Sequence, residues 1–166
     1  MCIRDSYEVG YRLGQDSNGN YDSDTGLEKL AKYAKMFGFD QTSGIEIPES
    51  QPQISDSDSV RSAIGHGTNN YTVSQINRYV TAVANRGTVY SLSLIDKTTD
   101  SNGKLIKDYT PEVVNQMDEI SSSTWDLVHN GMESMVKSSS TFAGMDISMG
   151  GKTGTAQYSK IHADNV

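Results

Sequence analysis

The sequence predicts a mixed α/β (α+β) fold in which helices and a sheet form layers. Three segments space their apolar residues as amphipathic helices do, and other segments are rich in β-forming residues. Helices come first along the chain, and strands and a further helix follow, an order typical of such layer folds. With 166 residues, the chain is long enough for one domain with a sizeable core.

Charge and composition disfavour several classes of function. The net charge is −7 and the isoelectric point is about 4.8, which argues against nucleic-acid binding because phosphate neutralisation needs clustered Lys and Arg. No stretch of the sequence approaches the roughly 18 apolar residues of a membrane span. Cys2 is the only cysteine, so no internal disulfide is possible. The three histidines lack metal-ligand spacing, and neither a metal nor a cofactor is expected.

The first part of the chain predicts two helices. Residues 1–6, MCIRDS, fit poorly with the helical sequence after them and are predicted to be a non-native leader or an ordinary disordered terminus. Residues 7–14 predict the end of a helix, and a second helix opens at Thr25 with Glu28 completing a capping box and Gly38 ending it. An apolar stripe assigns the second helix to the core: Leu27, Leu30, Ala31, Ala34 and Phe37.

The middle of the chain predicts a loop and then the clearest helix. Residues 44–50 are expected to be extended, and residues 51–63 to form a polar surface loop. A helix is predicted over 72–87, with Thr72 as its N-cap and Gln75 completing a capping box. The expected buried stripe of this helix consists of Val73, Ile76, Val80, Val83 and Ala84.

Strand signals and a third helix follow. Residues 88–96 predict a strand, and Asn102-Gly103 predicts a hairpin turn into a second strand over 104–109. Ser123 is the predicted cap of the third helix. The residues expected to face inward from that helix are Trp125, Val128, Met132, Met135 and Val136.

A glycine-rich segment, GGKTGTAQYSK over residues 150–160, follows a predicted loop over 137–150. Its G-K-T sequence is not a phosphate loop, because the position that requires the leading glycine is Asp146, whose charge would repel phosphate. The alternation over 151–160 predicts a strand. A bare K-T-G tripeptide is a weak signal, and by itself a solvated polar edge strand would explain it equally well.

The longer context resembles a known family. GGKTGTAQ is similar to the K-T-G strand of serine penicillin-recognising enzymes, specifically penicillin-binding protein transpeptidases of class B, elongation type, like penicillin-binding protein 2. The resemblance covers nearly all of residues 7–158. The segments that carry it, in the order of the family, are YEVGYRLG, AKMFGF, GIEIPE, IGHGTNNYTVSQINRYVTAVANRGT and FAGMDISMGGKTGTAQ.

The resemblance implies a fold and a domain organisation. The fold would be the β-lactamase/transpeptidase-like one, an antiparallel sheet flanked by helices, incomplete in this chain. Residues 7–166 would be a partial transpeptidase domain, with a helical part over about 7–60 and a helix-plus-sheet part over about 61–166. An N-terminal segment outside the sequence would anchor the protein at the extracytoplasmic face of a bacterial membrane, among proteins of the elongation machinery.

The resemblance also implies a reaction and its residues. The protein would be a D,D-transpeptidase that cross-links D-Ala-D-Ala stem peptides of peptidoglycan through an acyl-serine, with β-lactams as inhibitors. Lys152 would be catalytic, as a fixed cation that favours deprotonation near the serine and the substrate carboxylate. Thr153 would hydrogen-bond that carboxylate, and Gly154 would let the substrate lie along the strand as an added β-strand. The backbone N–H of Thr155 would help form the oxyanion hole.

Two family motifs have no counterpart in the right order. The S-x-x-K matches are Ser101 to Lys104 and Ser134 to Lys137, about the number expected by chance, and no Ser has Asn two positions later. The chain is therefore expected to be a C-terminal fragment that is inactive by itself. The alternative is a non-catalytic or β-lactam-sensing domain of the same fold. His66, where the family commonly has Gln, is expected to make only local hydrogen bonds.

Overall fold

The computed structural model describes residues 3–154 of the chain. These residues belong to two compact units, which divide between Asp126 and Leu127. The elements in chain order are α1 (Ile3–Leu13), α2 (Ser23–Met36), α3 (Ser59–Ser62), α4 (Val73–Ala84), β1 (Thr88–Tyr90), β2 (Lys97–Thr99), β3 (Leu105–Asp108), β4 (Val113–Gln116), α5 (Ser122–Lys137) and a 3₁₀ turn (Ser140–Phe142). The mixed fold, with antiparallel strands and flanking helices, is confirmed.

Helices α1, α2 and α3 pack together in the first unit. Helix α1 already begins at Ile3, so residues 3–6 are helical and the alternative of a disordered terminus is wrong for them. That residues 1–6 are a non-native leader stays a prediction. Helix α2 begins two residues earlier than predicted. Its N-cap is Asp22, whose carboxylate accepts hydrogen bonds from the Thr25 backbone N–H (2.9 Å) and hydroxyl (2.5 Å). An aspartate with two local donors caps a helix better than threonine, because the carboxylate also lies at the positive end of the helix dipole.

The predicted surface loop over 51–63 contains α3 and two buried serines, Ser55 and Ser59. Ser59 can be buried because its hydroxyl lies 3.0 Å from the Tyr21 hydroxyl and also donates to the Gly10 carbonyl at 3.4 Å. The prediction of an exposed loop failed here because small hydroxyl side chains are buried at little cost once they are paired.

Helix α4 has the predicted N-cap and capping box, formed by Thr72 and Gln75, but the predicted buried face is mostly wrong. Val73 is 87% exposed, and Ile76, Val80 and Ala84 are exposed as well, whereas Val83 is buried as expected. The buried face consists of Gln75, Arg78, Ala82 and Val83. Polar residues occupy it because backbone carbonyls accept hydrogen bonds from both Gln75 (Ser50 O, 3.1 Å) and Arg78.

The strands form two antiparallel pairs, β1 with β4 and β2 with β3. The hairpin turn at Asn102-Gly103 is confirmed, with Gly103 at φ +81°. The single strand predicted over 88–96 is wrong, because only β1 forms there. Ser91 N–H still bonds the Glu112 carbonyl, but Leu92 N–H turns to the Ser43 carbonyl at 2.8 Å, so the chain leaves its partner strand.

The core of the first unit consists of Ala82, Val89, Met117 and Trp125, with Met36, Phe37 and Ile120 packed around it. Gly87, at φ +101°, lies so close to this core that a Cβ there would be 2.9 Å from both Met117 and Trp125. The predicted core stripe of α2 is only half-buried. Phe37 packs against this core, whereas Leu30 and Ala34 line an open cleft, so the predicted core face is confirmed only in part.

Helix α5 begins with a different cap from the one predicted. The hydroxyl of Ser121 accepts from the Thr124 N–H at 3.2 Å, so Ser121 caps the helix in place of Ser123. Trp125 and Val136 are buried as expected, whereas Val128 is 40% exposed. Of the strand predicted over 151–160, the described part (151–154) is irregular, and the remainder lies outside the described residues.

Candidate active site around the K-T-G segment

We define the K-T-G segment as residues 150–154, the part of the glycine-rich motif that the structure describes. It belongs to the second unit, together with the greater part of α5 and the 3₁₀ turn. One backbone hydrogen bond ties it to the helix, from the Gly151 N–H to the Met132 carbonyl at 3.1 Å. The segment therefore runs directly along α5.

The two glycines make this approach possible. A Cβ on Gly151 would lie 2.5 Å from Met135 Cε and 3.2 Å from Val136 Cγ2, and one on Gly150 would lie 3.2 Å from Met132 Cβ. Distances below about 3.0 Å are not seen for real Cβ atoms. The absence of side chains at Gly150 and Gly151 therefore allows the segment to approach the helix this closely.

Beyond the glycine pair, the segment turns its functional groups to solvent. Lys152, Thr153 and Gly154 are all exposed. The Lys152 ammonium donates a hydrogen bond to the Thr153 carbonyl at 2.6 Å, and a Cβ on Gly154 would meet nothing within 4 Å. A cation, a hydroxyl and a bare stretch of backbone are thus adjacent and accessible, an arrangement suited to an anionic, extended peptide-like ligand. Thr155 lies outside the described residues.

The S-x-x-K match on α5 does not form a nucleophile–base pair in the structure. The Lys137 ammonium is 2.7 Å from the Glu133 carboxylate, one turn back on the exposed face of the helix. Ser134 is exposed near the end of the same helix. The other match, Ser101 and Lys104, lies in the exposed turn between β2 and β3. Neither serine is positioned by a buried base.

His66 makes the expected local hydrogen bonds through its backbone. Its N–H donates to the Arg61 carbonyl at 3.1 Å, and its carbonyl accepts from the Asn69 side chain at 2.9 Å. The ring Nε2 is buried and has no hydrogen-bond partner among the described residues. The turn at residues 65–67 is thus held by main-chain contacts.

The first unit contains an open cleft of about 480 Å³ between α2, α4 and the loop before α4. Its lining is mainly apolar and aromatic, with a few hydroxyl and amide groups. It contains no Lys, His, Asp or Glu side chain, so the only side chains it offers that commonly act as general acids or bases are tyrosines. We therefore place the candidate chemistry at the K-T-G segment.

Sequence reasoning missed Glu49 and the cluster of hydroxyls around it. The carboxylate accepts hydrogen bonds from the Ser43 N–H (2.6 Å), the Thr72 hydroxyl (2.5 Å) and the Ser74 hydroxyl. Burial alone would raise the pKa of Glu49, but these hydrogen bonds to the charged form outweigh it and lower the pKa below its ordinary value. A glutamate just after a proline in a loop gives no sequence signal of this role.

Sequence reasoning also missed Arg78, which is only 2% exposed. Its guanidinium donates to the carbonyls of Thr42 (2.7 Å), Gln41 (2.9 Å) and Gly38. Burial lowers the pKa of Arg78, against the opposing effect of the negative charges of Glu49 and Asp40. A lone arginine in an amphipathic helix usually lies on the solvated face, so nothing in the sequence indicated that Arg78 is buried.

Two features bear on cofactors and on membranes. Among residues 3–154, no three His, Cys, Asp or Glu side chains come together as a metal site would need. None of the helices in this described part of the chain combines the length and apolar character that crossing a membrane requires.

The fold and a family comparison together give the class of this chain, the penicillin-binding protein transpeptidases. Residues 6–165 match the family model of the penicillin binding protein transpeptidase domain, and the chain belongs to that family. The resemblance drawn from the sequence is thereby confirmed.

Individual relatives give the same result. The chain is similar to penicillin-binding protein 2B of Streptococcus pneumoniae, in both serotype 2 and serotype 4, with 26% identity over 156 residues. The match covers 84% of this chain and 23% of the relative, so the chain spans about a quarter of the length of these proteins.

Solved structures extend the comparison to the fold. Penicillin-binding protein 2B from two Streptococcus pneumoniae strains superposes with TM-scores of 0.73 and 0.69, at 24% and 21% identity. The matches cover 93% and 92% of this chain and 28% of each solved chain. At these identities the structures support the fold alone.

Proposed function

We propose that this chain is part of a peptidoglycan D,D-transpeptidase and contributes the K-T-G wall of its active site. The full protein would attack a D-Ala-D-Ala stem peptide with a serine, release D-alanine, and transfer the acyl group to an amine on a neighbouring strand. β-Lactams would acylate the same serine. The nucleophilic serine and the S-x-N residues would come from parts of the protein outside these 166 residues.

The observation that carries this proposal is the exposure of the K-T-G segment beside α5 in a chain of the penicillin-binding protein family. Lys152, Thr153 and Gly154 are free to meet a ligand, since their side-chain positions are solvent-exposed. Exposed side chains of this kind can contact both a ligand and a nucleophile that another part of the protein supplies.

Each residue has a role that its chemistry supports. Lys152 supplies a positive charge that favours the ionised forms of nearby groups and attracts the carboxylate of the stem peptide or of a β-lactam. The Thr153 hydroxyl donates a hydrogen bond to the same carboxylate. Gly154 leaves the backbone open for an extended substrate. The Thr155 N–H would donate to the oxyanion of the tetrahedral intermediate, a contribution typically worth about 2.7–4 kcal/mol.

We also place the full protein at the extracytoplasmic face of a bacterial membrane, held by an N-terminal anchor and working with elongation-machinery proteins. This placement follows from the kind of substrate, since cross-linked peptidoglycan lies outside the cytoplasm. It rests on the family resemblance and on the reaction proposed.

The test is covalent labelling with a fluorescent penicillin. The full-length protein that contains this sequence should be labelled, and label should be blocked by prior treatment with unlabelled penicillin. The 166-residue chain alone should remain unlabelled, since neither S-x-x-K serine is positioned by a base. A folded full-length protein that takes up no label would refute the proposal, and an adduct on Ser134 of the isolated chain would refute the assignment of the nucleophile.

A second readout separates an enzyme from a β-lactam sensor. A transpeptidase releases D-alanine from a synthetic D-Ala-D-Ala stem peptide when an acceptor amine is present. A sensing domain would take the penicillin label but release no D-alanine beyond the first equivalent.

A further inference from the structure

Among the described residues of the second unit, one face of α5 contacts the K-T-G segment. We call this face the α5 seat and define it as Met132, Met135 and Val136. Val136 is buried, and both methionines are partly buried. The seat contacts the segment at the glycine pair and holds it by the hydrogen bond from Gly151 to Met132.

We propose that the α5 seat and the glycine pair are positioning residues for the acyl-transfer reaction. They would set the depth at which the segment lies on the helix, and with it the location of the Lys152 ammonium and the Thr153 hydroxyl. This inference rests on the proposed function, because it assigns a role in that reaction to residues that touch neither substrate nor nucleophile.

Gly151 is the residue through which the α5 seat would set the position of Lys152 and Thr153. It is the residue immediately before Lys152, and its N–H is bonded to the helix. A displacement of Gly151 therefore passes directly to the lysine and threonine. These two residues are exposed, so little packing within the described chain would correct such a displacement.

The two neighbours of Gly151 differ in how far they can yield. The nearer one, Met135 Cε, would lie 2.5 Å from a Cβ on Gly151, but it is the free end of a flexible side chain and can swing away. Val136 Cγ2, at 3.2 Å, belongs to a β-branched residue with one preferred rotamer in a helix, and it is buried. An added methyl at Gly151 would therefore move Met135 aside and, because Val136 cannot rotate away, would also displace the segment from the helix.

The experiment measures acylation rate constants of the full-length protein with a fluorescent penicillin. Gly151→Ala should slow acylation about tenfold or more, since a displacement of about 1 Å can cost up to about 100-fold. Gly150→Ala, whose Cβ meets only Met132 at 3.2 Å, should slow it less. Adding Val136→Ala to Gly151→Ala removes the branched methyl group that cannot swing away and should restore most of the rate.

The matched control is Gly131→Ala. Gly131 lies on the same helix, and a Cβ there meets nothing within 4 Å. This variant should label at the wild-type rate. All variants are also melted, so that a loss of rate can be compared with a loss of fold.

The outcomes separate this inference from the proposed function. No label on the wild-type protein refutes the function. Label on the wild type with an unchanged rate for Gly151→Ala refutes the role of the α5 seat, as does a failure of Val136→Ala to restore the rate. If Gly151→Ala does not melt cooperatively, the test uses Gly150→Ala instead. An acylation rate of Gly150→Ala equal to that of the control Gly131→Ala would then overturn the inference.

Discussion

Arg78 shows how much a single polar residue fixes in this domain. It is a buried cation that donates to the carbonyls of Gly38, Gln41 and Thr42. The residues between the end of α2 and the extended segment that follows are therefore held by one side chain on α4. Gly38 accommodates the guanidinium, since a Cβ there would lie 2.8 Å from an Arg78 nitrogen.

Replacing Arg78 tests this role. Arg78→Met should destabilise the folded chain by about 3 kcal/mol, because it leaves buried carbonyls without donors. Chemical denaturation monitored by Trp125 fluorescence measures the free energy of unfolding. Arg61→Met, at an exposed arginine on α3, is the control and should change it by less than about 0.5 kcal/mol. Equal effects of the two substitutions would show that Arg78 does not hold the loop.

At the scale of elements, the N-terminus of α4 is joined to the extended segment before it by Glu49. The carboxylate accepts from Ser43 on one side and from Thr72 and Ser74 on the other. A negative charge beside the first turn of a helix also interacts favourably with the helix dipole. The capping box could be predicted from Thr72 and Gln75, but this long-range contact could not.

The lowered pKa of Glu49 predicts how stability depends on pH. Since the folded-state pKa lies below the unfolded value, the stabilisation is fully present above the unfolded pKa and is lost as the pH falls through the folded pKa. Glu49→Gln should therefore lower the melting temperature at pH 7 and flatten its dependence on pH in the acidic range.

Thermal melts between pH 7 and pH 3 measure this effect. Glu28→Gln, on the exposed face of α2, serves as the control and should retain the acid dependence of the wild type. The assignment fails if Glu49→Gln loses stability with acid as steeply as the wild type does.

The elements also show what periodicity can and cannot predict. The approximate positions of α2, α4, α5 and the hairpin followed from apolar spacing, the cap of α4 and an Asn-Gly turn. The buried face of α4 did not follow, because the face with Gln75 and Arg78 is paired with distant carbonyls that no local pattern reveals. The pairing of β1 with β4 escaped prediction for the same reason, since it joins residues far apart in sequence.

At the scale of the whole molecule, the sequence was most informative about family and least about the assembled site. Motifs in a fixed order identified the fold. Two solved structures confirm it, since they superpose on this chain with TM-scores of 0.69 and 0.73. The proposed site residues Lys152, Thr153 and Gly154 could be named from the family resemblance around the K-T-G tripeptide. The distance and orientation of these residues relative to a nucleophilic serine could not be predicted, because none of the described residues forms that side of the proposed site.

Helix α4 leaves apolar side chains exposed in the part of the chain that the structure describes. Val73, Ile76 and Val80 line one exposed face of α4 in the first unit. Monomeric domains rarely leave such faces uncovered, and the chain spans about a quarter of its relatives. Full-length protein is therefore the proper material for functional tests.

The most direct test of the account is the acylation rate of the full-length protein after Lys152→Ala. If Lys152 is the cation of a penicillin-binding site, this variant should fold and yet react with a fluorescent penicillin about 100-fold more slowly, in line with the usual contribution of a positioned proton-transfer group. Lys137→Ala, at the ion-paired lysine of α5, should react at the wild-type rate. Equal labelling of Lys152→Ala and the wild type would contradict the claim that the K-T-G segment is a wall of the active site.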